Sequence, residues 1–291
     1  MKGLRCIFLF WGVCFVFFGC QPRPVNHHRH SSDVSDDTRF AMYAPSVKDS
    51  FYISVALPED YDASKKYPVA YLLDGNVYYN ILAATTKEYG SIGMLPPMIV
   101  VGIGYKDFAT LDSLRQRDYT FPQAIPEYEM AVSDGAGNFL SFLDEQLIPY
   151  IDGHYATNKH RTLVGHSLGG YFVMYALFRQ LNGTARSFSN FIAASPSIDY
   201  NRQYLLHLLD SLAPKTSGDS LQVYITYGGL EDKENVDDPI FVSTDTLLHH
   251  AERSLVRFPK VKTKTVTFSN LAHMDTPFPS FTKGLEWVNR E

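Results

Sequence analysis

From about residue 39 onward, apolar runs alternate with polar breaks at lengths that suit strands and helices in turn. Phe40 to Ala44 and Phe51 to Leu57 are strand-like runs separated by Pro45-Ser46-Val47-Lys48-Asp49, the pattern of an antiparallel hairpin at a sheet edge. Pro68 to Leu73 and Met98 to Gly104 are solidly apolar, as expected of strands covered on both faces. Thr162 to Val164, Phe191 to Ala194, Leu221 to Tyr227 and Val261 to Phe268 read as further strands. Helical spacing is expected over Val77 to Glu88, Gly169 to Gln180, Tyr204 to Leu212, Asp245 to Phe258 and Phe281 to Asn289. One more helix starts from a cap at Ser133 or Asp134 and runs to about Ile151, with Phe139, Leu140, Phe142, Leu143, Leu147 and Ile148 in one stripe. Leu111 to Met130 has no clear period and is expected to wrap over the surface as a loop. Strands alternating with helices imply an α/β fold, a mostly parallel central sheet with helices on both faces. Ligands of such sheets sit beyond the carboxyl ends of the strands.

The most informative stretch is Arg161 to Met174, RTLVGHSLGGYFVM. A short apolar run ends in Gly165-His166-Ser167-Leu168-Gly169 and a helical pattern follows at once, so G-x-S-x-G stands between strand and helix. The turn holds Ser167 in strained torsions, and a Cβ two residues before or after it is expected to collide with its surroundings. Gly102 and Gly104 lack a third glycine and a following helix start, which excludes a dinucleotide loop there.

The ends and the charge narrow the setting. Met1 to Gly19 has a short basic start, Lys2 and Arg5, and an apolar run from Cys6 to Phe18, the order of a secretory signal peptide. That run is too short for a comfortable membrane span. Cys6, Cys14 and Cys20 are the only cysteines, so an exported domain would hold no internal disulfide. Cys20, directly after the apolar run, resembles the lipidated cysteine of a bacterial lipoprotein, although Phe-Phe-Gly-Cys departs from the usual box; unlipidated secretion is the alternative. Residues 20–38 read as a lipidated cysteine and flexible linker, in which His27, His28 and His30 lack a scaffold for metal binding. Residues 39–291 form one domain. A net charge of −5 with no basic run argues against nucleic acid as partner. The expected location is outside the cytoplasm, with membrane attachment through Cys20 alone.

A serine hydroxyl needs a base, and the base needs an orienting acid, arriving in the chain order Ser, acid, His. The run Leu221 to Tyr227 ends in Gly228-Gly229-Leu230-Glu231-Asp232, and Val261 to Phe268 leads to His273. His273 is therefore the expected base; His249 and His250 fall within a helix. The expected acid is Glu231, one residue nearer its strand, with Asp232 as the alternative and Asp199 one strand earlier as a third; Asp275 reads as a loop charge or cap. Backbone N–H groups of Leu168 and of the Gly75-Asn76 turn are the expected oxyanion donors. Tyr78, Tyr79, Tyr105, Tyr119 and Phe121 either line an aromatic cleft or pack beneath the loops.

Several segments carry a family likeness: Tyr71-Leu72-Leu73-Asp74-Gly75, Asp118-Tyr119-Thr120, Phe139 to Tyr150, Arg161 to Gly170, and Ala194-Ser195-Pro196-Ser197. With them the chain resembles the esterase family of α/β hydrolases that includes enterobactin and other siderophore esterases, feruloyl esterases, S-formylglutathione hydrolase and mycobacterial mycolyltransferases. The resemblance implies an α/β-hydrolase fold, with Ser167 as nucleophile, His273 as base, and Asn76 with Leu168 as oxyanion donors. Gly229-Leu230-Glu231 matches the Gly-Leu-Glu context of the acid in the siderophore-esterase branch. Gly75, Tyr119, His166 and Ser195, within the shared segments, are expected to contact substrate. The implied activity is hydrolysis of a siderophore or carbohydrate ester through an acyl-enzyme, with no metal or cofactor. The alternatives are acyl transfer by the same residues, or a binding protein that keeps the fold without turnover.

Overall fold

The computed structural model describes residues 37–214, 219–234 and 241–290. The expected signal peptide, Cys20, nearly all of the linker and His27, His28 and His30 lie outside the described residues.

An eight-stranded sheet in the order β1-β2-β4-β3-β5-β6-β7-β8 organises the domain. Its strands are β1 Thr38–Ala44, β2 Asp49–Ala56, β3 Tyr67–Leu72, β4 Ile99–Gly104, β5 Thr157–His166, β6 Asn190–Ala194, β7 Leu221–Gly228 and β8 Val261–Phe268. The β1–β2 hairpin is antiparallel, as its flanking polar turn predicts, and β2 pairs antiparallel with β4. All other neighbours are parallel. The carboxyl ends of β3 to β8 therefore open on one edge, where the ligand site of a parallel sheet belongs.

Nine α-helices are described: α1 Gly75–Ser91, α2 Phe108–Tyr119, α3 Ala136–Phe142, α4 Ile148–His154, α5 Leu168–Asn182, α6 Tyr200–Ser211, α7 Glu231–Glu234, α8 Thr244–Val256 and α9 Pro277–Val288. Successive strand residues point to opposite faces. Tyr71, Leu163 and Phe191 join one core with Phe139, Phe142 and Phe172, under α3 to α6 and α8. Their neighbours Leu72, Val164 and Ile192 join another core with Leu82 of α1 and Phe281 and Leu285 of α9. Each face is thus covered, which is why these strands lack polar alternation. Among the described residues no helix is long and apolar enough to cross a membrane.

Two expectations need correction. Residues 111–130 are not a plain loop: α2 occupies Phe108–Tyr119, started by the Asp107 carboxylate accepting from Thr110 N at 2.8 Å. Its apolar period is masked because Asp118 sits on the inner side, fully buried and paired with Arg117 at 2.7 Å. The expected helix from residue 133 begins later, at Ala136 after Gly135, and continues through a π-helical turn, Leu143–Leu147, into α4. Asp134 has φ 74° and cannot be a helical residue.

Candidate active site

Ser167 links β5 to α5 with φ 59° and ψ −123°, in the positive-φ region that non-glycine residues rarely occupy. Three backbone bonds hold it there. Its N–H donates to Ala194 O at 3.0 Å, and its carbonyl accepts from Tyr171 N at 2.9 Å and Ser197 N at 3.2 Å. The flanking glycines differ in what they allow. A Cβ on Gly165 would run into the Gly169 carbonyl, and one on Gly170 would lie 2.9 Å from Pro196 Cα. A Cβ on Gly169 would stand 3.2 Å from Asp74 Oδ2, tight but without the expected collision.

His273 lies on the β8–α9 connection, at the start of a short 3₁₀ turn His273–Asp275. Asp275 is a cap, as expected: its carboxylate accepts from Ala272 N at 3.1 Å. His273 Nδ1 stands 2.8 Å from Glu231 Oε2. Glu231, the first residue of α7, is 4% exposed, and its Oε1 accepts from Ser195 Oγ at 2.6 Å and from Gly228 N. Asp232 points elsewhere; its carboxylate accepts from Thr244 N at 2.8 Å at the start of α8. Of the two adjacent acids, Glu231 is the one that faces the histidine. Ser167, Glu231 and His273 line one cleft of about 280 Å³, whose wall includes Tyr227, Leu247 and Asp199.

His166 is another residue expected to touch substrate. Its side chain is 2% exposed and bridges two elements. Nε2 lies 3.0 Å from the His273 carbonyl, and Nδ1 lies 3.0 Å from the Tyr78 hydroxyl. A carbonyl only accepts, so Nε2 carries the proton and Nδ1 accepts from Tyr78. Burial, and then the neighbouring His273, push the His166 pKa down to about 3, so the ring stays neutral.

The three other residues expected to contact substrate are placed as follows. Tyr119 is fully buried; its hydroxyl accepts from Asp74 N at 3.4 Å, and its ring packs on Phe139 and Phe172. Ser195 does line the cleft, but it is 1% exposed and its hydroxyl is turned to Glu231. Gly75 and Asn76 line a separate cavity of about 510 Å³, and Gly75 packs so closely on β4 that a Cβ would stand 3.0 Å from Ile103 N. The Asn76 carboxamide is engaged with the Tyr105 backbone, donating to its O at 2.8 Å and accepting from its N at 2.6 Å. Tyr78, Tyr79 and Tyr105 are buried too, and Tyr79 and Tyr105 border that cavity.

Sequence reasoning missed the pair beside the elbow, Arg115 on α2 and Asp74 after β3. Arg115 donates to both Asp74 oxygens, at 3.2 and 2.8 Å, and to the His166 carbonyl at 3.3 Å. Residues 41 apart with no shared period leave no local signal. Among the described residues, His207, Asp210 and His250 have ligand atoms within 4.8 Å of one another. None of them lines the cleft, and His250 is held by Asp210 and Gln203, at 2.8 Å each.

A family model described as "Putative esterase" matches residues 44–254. The chain is 32% identical over 196 residues to a ferri-bacillibactin esterase of Bacillus subtilis, covering 62% of this chain and 66% of that protein. It is 30% identical over 145 residues to a siderophore triacetylfusarinine C esterase of Aspergillus fumigatus, covering 48% of this chain and 47% of the relative. The matches thus span about half to two thirds of these curated relatives. A crystal structure of the BES protein from Bacillus cereus superposes with a TM-score of 0.73 at 26% identity, covering 88% of this chain and 96% of that one.

Proposed function

The chain belongs to the esterase family of α/β hydrolases, and from that premise we propose that it is a serine carboxylic-ester hydrolase acting through Ser167, His273 and Glu231. The observation that carries this reading is the 2.8 Å contact from His273 Nδ1 to Glu231 Oε2 beside a serine held at φ 59° in the same cleft. Glu231 accepts the Nδ1 proton, which directs base chemistry through Nε2. His273 takes the Ser167 proton as Oγ attacks the ester carbonyl, and the buried carboxylate stabilises the imidazolium that forms. Leu168 N–H, at the start of α5 directly after Ser167, is one donor to the oxyanion; Asn76 N–H, in the first turn of α1 and bordering the other cavity, is the second donor we propose. Collapse expels the alcohol, which takes the proton from His273, and water then releases the acyl group by the same steps in reverse role.

The substrate we propose is an ester of the siderophore class, which the names of the similar proteins support; a carbohydrate ester is the alternative. The leader-like residues 1–19 and Cys20 support an exported, lipid-anchored protein whose linker, residues 20–38, carries the domain of residues 39–291. A fluorophosphonate probe tests the chemistry. Folded wild-type protein is expected to label and Ser167→Ala is not; an unlabelled wild type overturns the reading. If Ser167→Ala hydrolysed p-nitrophenyl acetate as fast as wild type, the nucleophile would be another residue.

A further inference from the structure

Three connections that leave successive strands meet at one buried point. Ser195 follows β6, Glu231 follows β7, and His273 with Thr276 follow β8. Ser195 Oγ is 2.6 Å from Glu231 Oε1 and 2.7 Å from Thr276 Oγ1, and Thr276 Oγ1 is 2.9 Å from the His273 carbonyl. Ser195 is 1% and Thr276 0% exposed, so bulk water does not serve these hydroxyls. Ser195 is held at φ 40°, in the left-handed region that residues other than glycine rarely occupy.

Each hydroxyl has one proton to give. A carboxylate only accepts, so the Ser195 proton goes to Glu231. The Ser195–Thr276 contact then requires the Thr276 proton. Thr276 shares that proton with the His273 carbonyl, to which its Oγ1 also donates at 2.9 Å and His166 Nε2 donates at 3.0 Å. The count closes in one direction: Thr276 donates to Ser195, and Ser195 donates to Glu231. With Gly228 N–H also on Oε1, that oxygen is fixed by two donors while Oε2 faces His273.

Resting on the triad reading above, we propose that Ser195 and Thr276 are positioning residues, a two-hydroxyl series that clamps Glu231 Oε1 and so aims Oε2 at the base. Neither hydroxyl touches the reacting atoms. Their effect is to stop the glutamate from rotating and to keep its charge shared between donors, as outer hydrogen bonds do for the ligands of a metal. Without Ser195 the carboxylate loses a donor on Oε1 and more of its charge falls on His273.

The test is steady-state hydrolysis of p-nitrophenyl acetate by wild type, Ser195→Ala, Ser195→Thr, Thr276→Val and the Ser195→Ala/Thr276→Val double variant, with folding checked by circular dichroism. Ser195→Ala is expected to lose about tenfold or more in kcat with KM within about twofold, the pattern of a misplaced catalytic group. The acid limb of its kcat/KM profile moves to higher pH, a shift that loosened packing alone would not give. Ser195→Thr, which keeps the hydroxyl, recovers most of the rate. Thr276→Val, nearly the same shape, shows a smaller loss in the same direction, and the double variant is no slower than Ser195→Ala because the two act in series. A folded Ser195→Ala with kcat and acid limb unchanged overturns the proposal, as do losses that multiply in the double variant. If Ser195→Ala does not fold, Thr276→Val decides by the same readouts. Fluorophosphonate labelling of wild type separates the two levels: labelling with an unaffected Ser195→Ala sinks only this proposal, whereas no labelling sinks the triad.

Discussion

His166 Nε2 donates to the carbonyl of His273 at 3.0 Å, so the residue before the elbow serine holds the loop that carries the proposed base. Because burial depresses the His166 pKa to about 3, this bond persists through the pH range in which His273 would work. The same shift makes a stability prediction. Between about pH 6.5 and pH 3 the unfolded chain binds a proton at this site that the folded chain does not, so stability rises with pH across that window. His166 should therefore contribute a loss of about 2–3 kcal/mol on going from pH 7 to pH 4.5. Urea unfolding of wild type and His166→Gln at both pH values checks it. The variant is expected to start less stable at pH 7 and to show a shallower acid dependence; equal slopes would place the acid sensitivity elsewhere.

The two adjacent acids should separate cleanly. Glu231→Gln keeps the shape but removes the charge facing His273, and it lets the amide set the wrong tautomer. A loss in kcat of about 10⁴-fold is the order expected when a triad acid becomes an amide. Asp232→Asn can still accept from Thr244 N, so its kcat should stay near wild type, with a stability change on the order of 1 kcal/mol. Parallel p-nitrophenyl acetate kinetics measure both, and comparable losses in the two would contradict the assignment.

The contrast between those acids shows what was legible in the sequence. Ser167, His273 and the region of the acid, which the structure brings to one cleft, could be placed together because each follows a strand-like run, and the glycines mark the elbow. Chain order allowed either Glu231 or Asp232 and only nearness to the strand favoured Glu231, since which carboxylate turns inward depends on Ser195 and Gly228 meeting one and Thr244 meeting the other. The middle of the sheet was legible because both of its faces are covered and β3, β4 and β6 are almost wholly apolar. Helix α2 was hidden because its inner side spends positions on Asp118 and Tyr119, whose burial relies on Arg117, Tyr105 and Asp74 rather than on apolar periodicity. Tyr119 and His166 sit in motif-bearing segments, which suggested substrate contact; the structure shows both buried, with Tyr119 bonded to Asp74 and His166 to His273.

The elbow glycines should differ from an ordinary helical glycine. Gly165→Ala places a Cβ against the Gly169 carbonyl, a backbone atom that cannot swing away, and Gly170→Ala places one 2.9 Å from Pro196 Cα. Each is expected to cost about 1–3 kcal/mol and to slow fluorophosphonate labelling of Ser167. Gly153, in α4, has nothing within 4 Å of its added Cβ, so Gly153→Ala should leave labelling unchanged and stability equal or slightly raised. Thermal melts with labelling rates on all three variants provide the comparison.

Arg115 and Asp74 should behave as a buried pair whose halves cannot be removed singly. Their side chains are 16% and 3% exposed, and Asp74, at φ 52°, turns the chain from β3 into α1, the helix whose first turn holds Asn76. Arg115→Ala leaves the carboxylate buried and uncompensated, which typically costs about 3–5 kcal/mol. Asp74→Asn strands the guanidinium in the same way. Removing both should cost less than the sum of the two single losses, since neither charge is then left alone. A double-mutant cycle by urea unfolding reads this directly. Because Arg115 also donates to the His166 carbonyl, the Arg115→Ala variant should further lose kcat on p-nitrophenyl acetate while it is still folded. Additive losses with unchanged kcat would mean that the pair neither compensates its own burial nor supports the elbow.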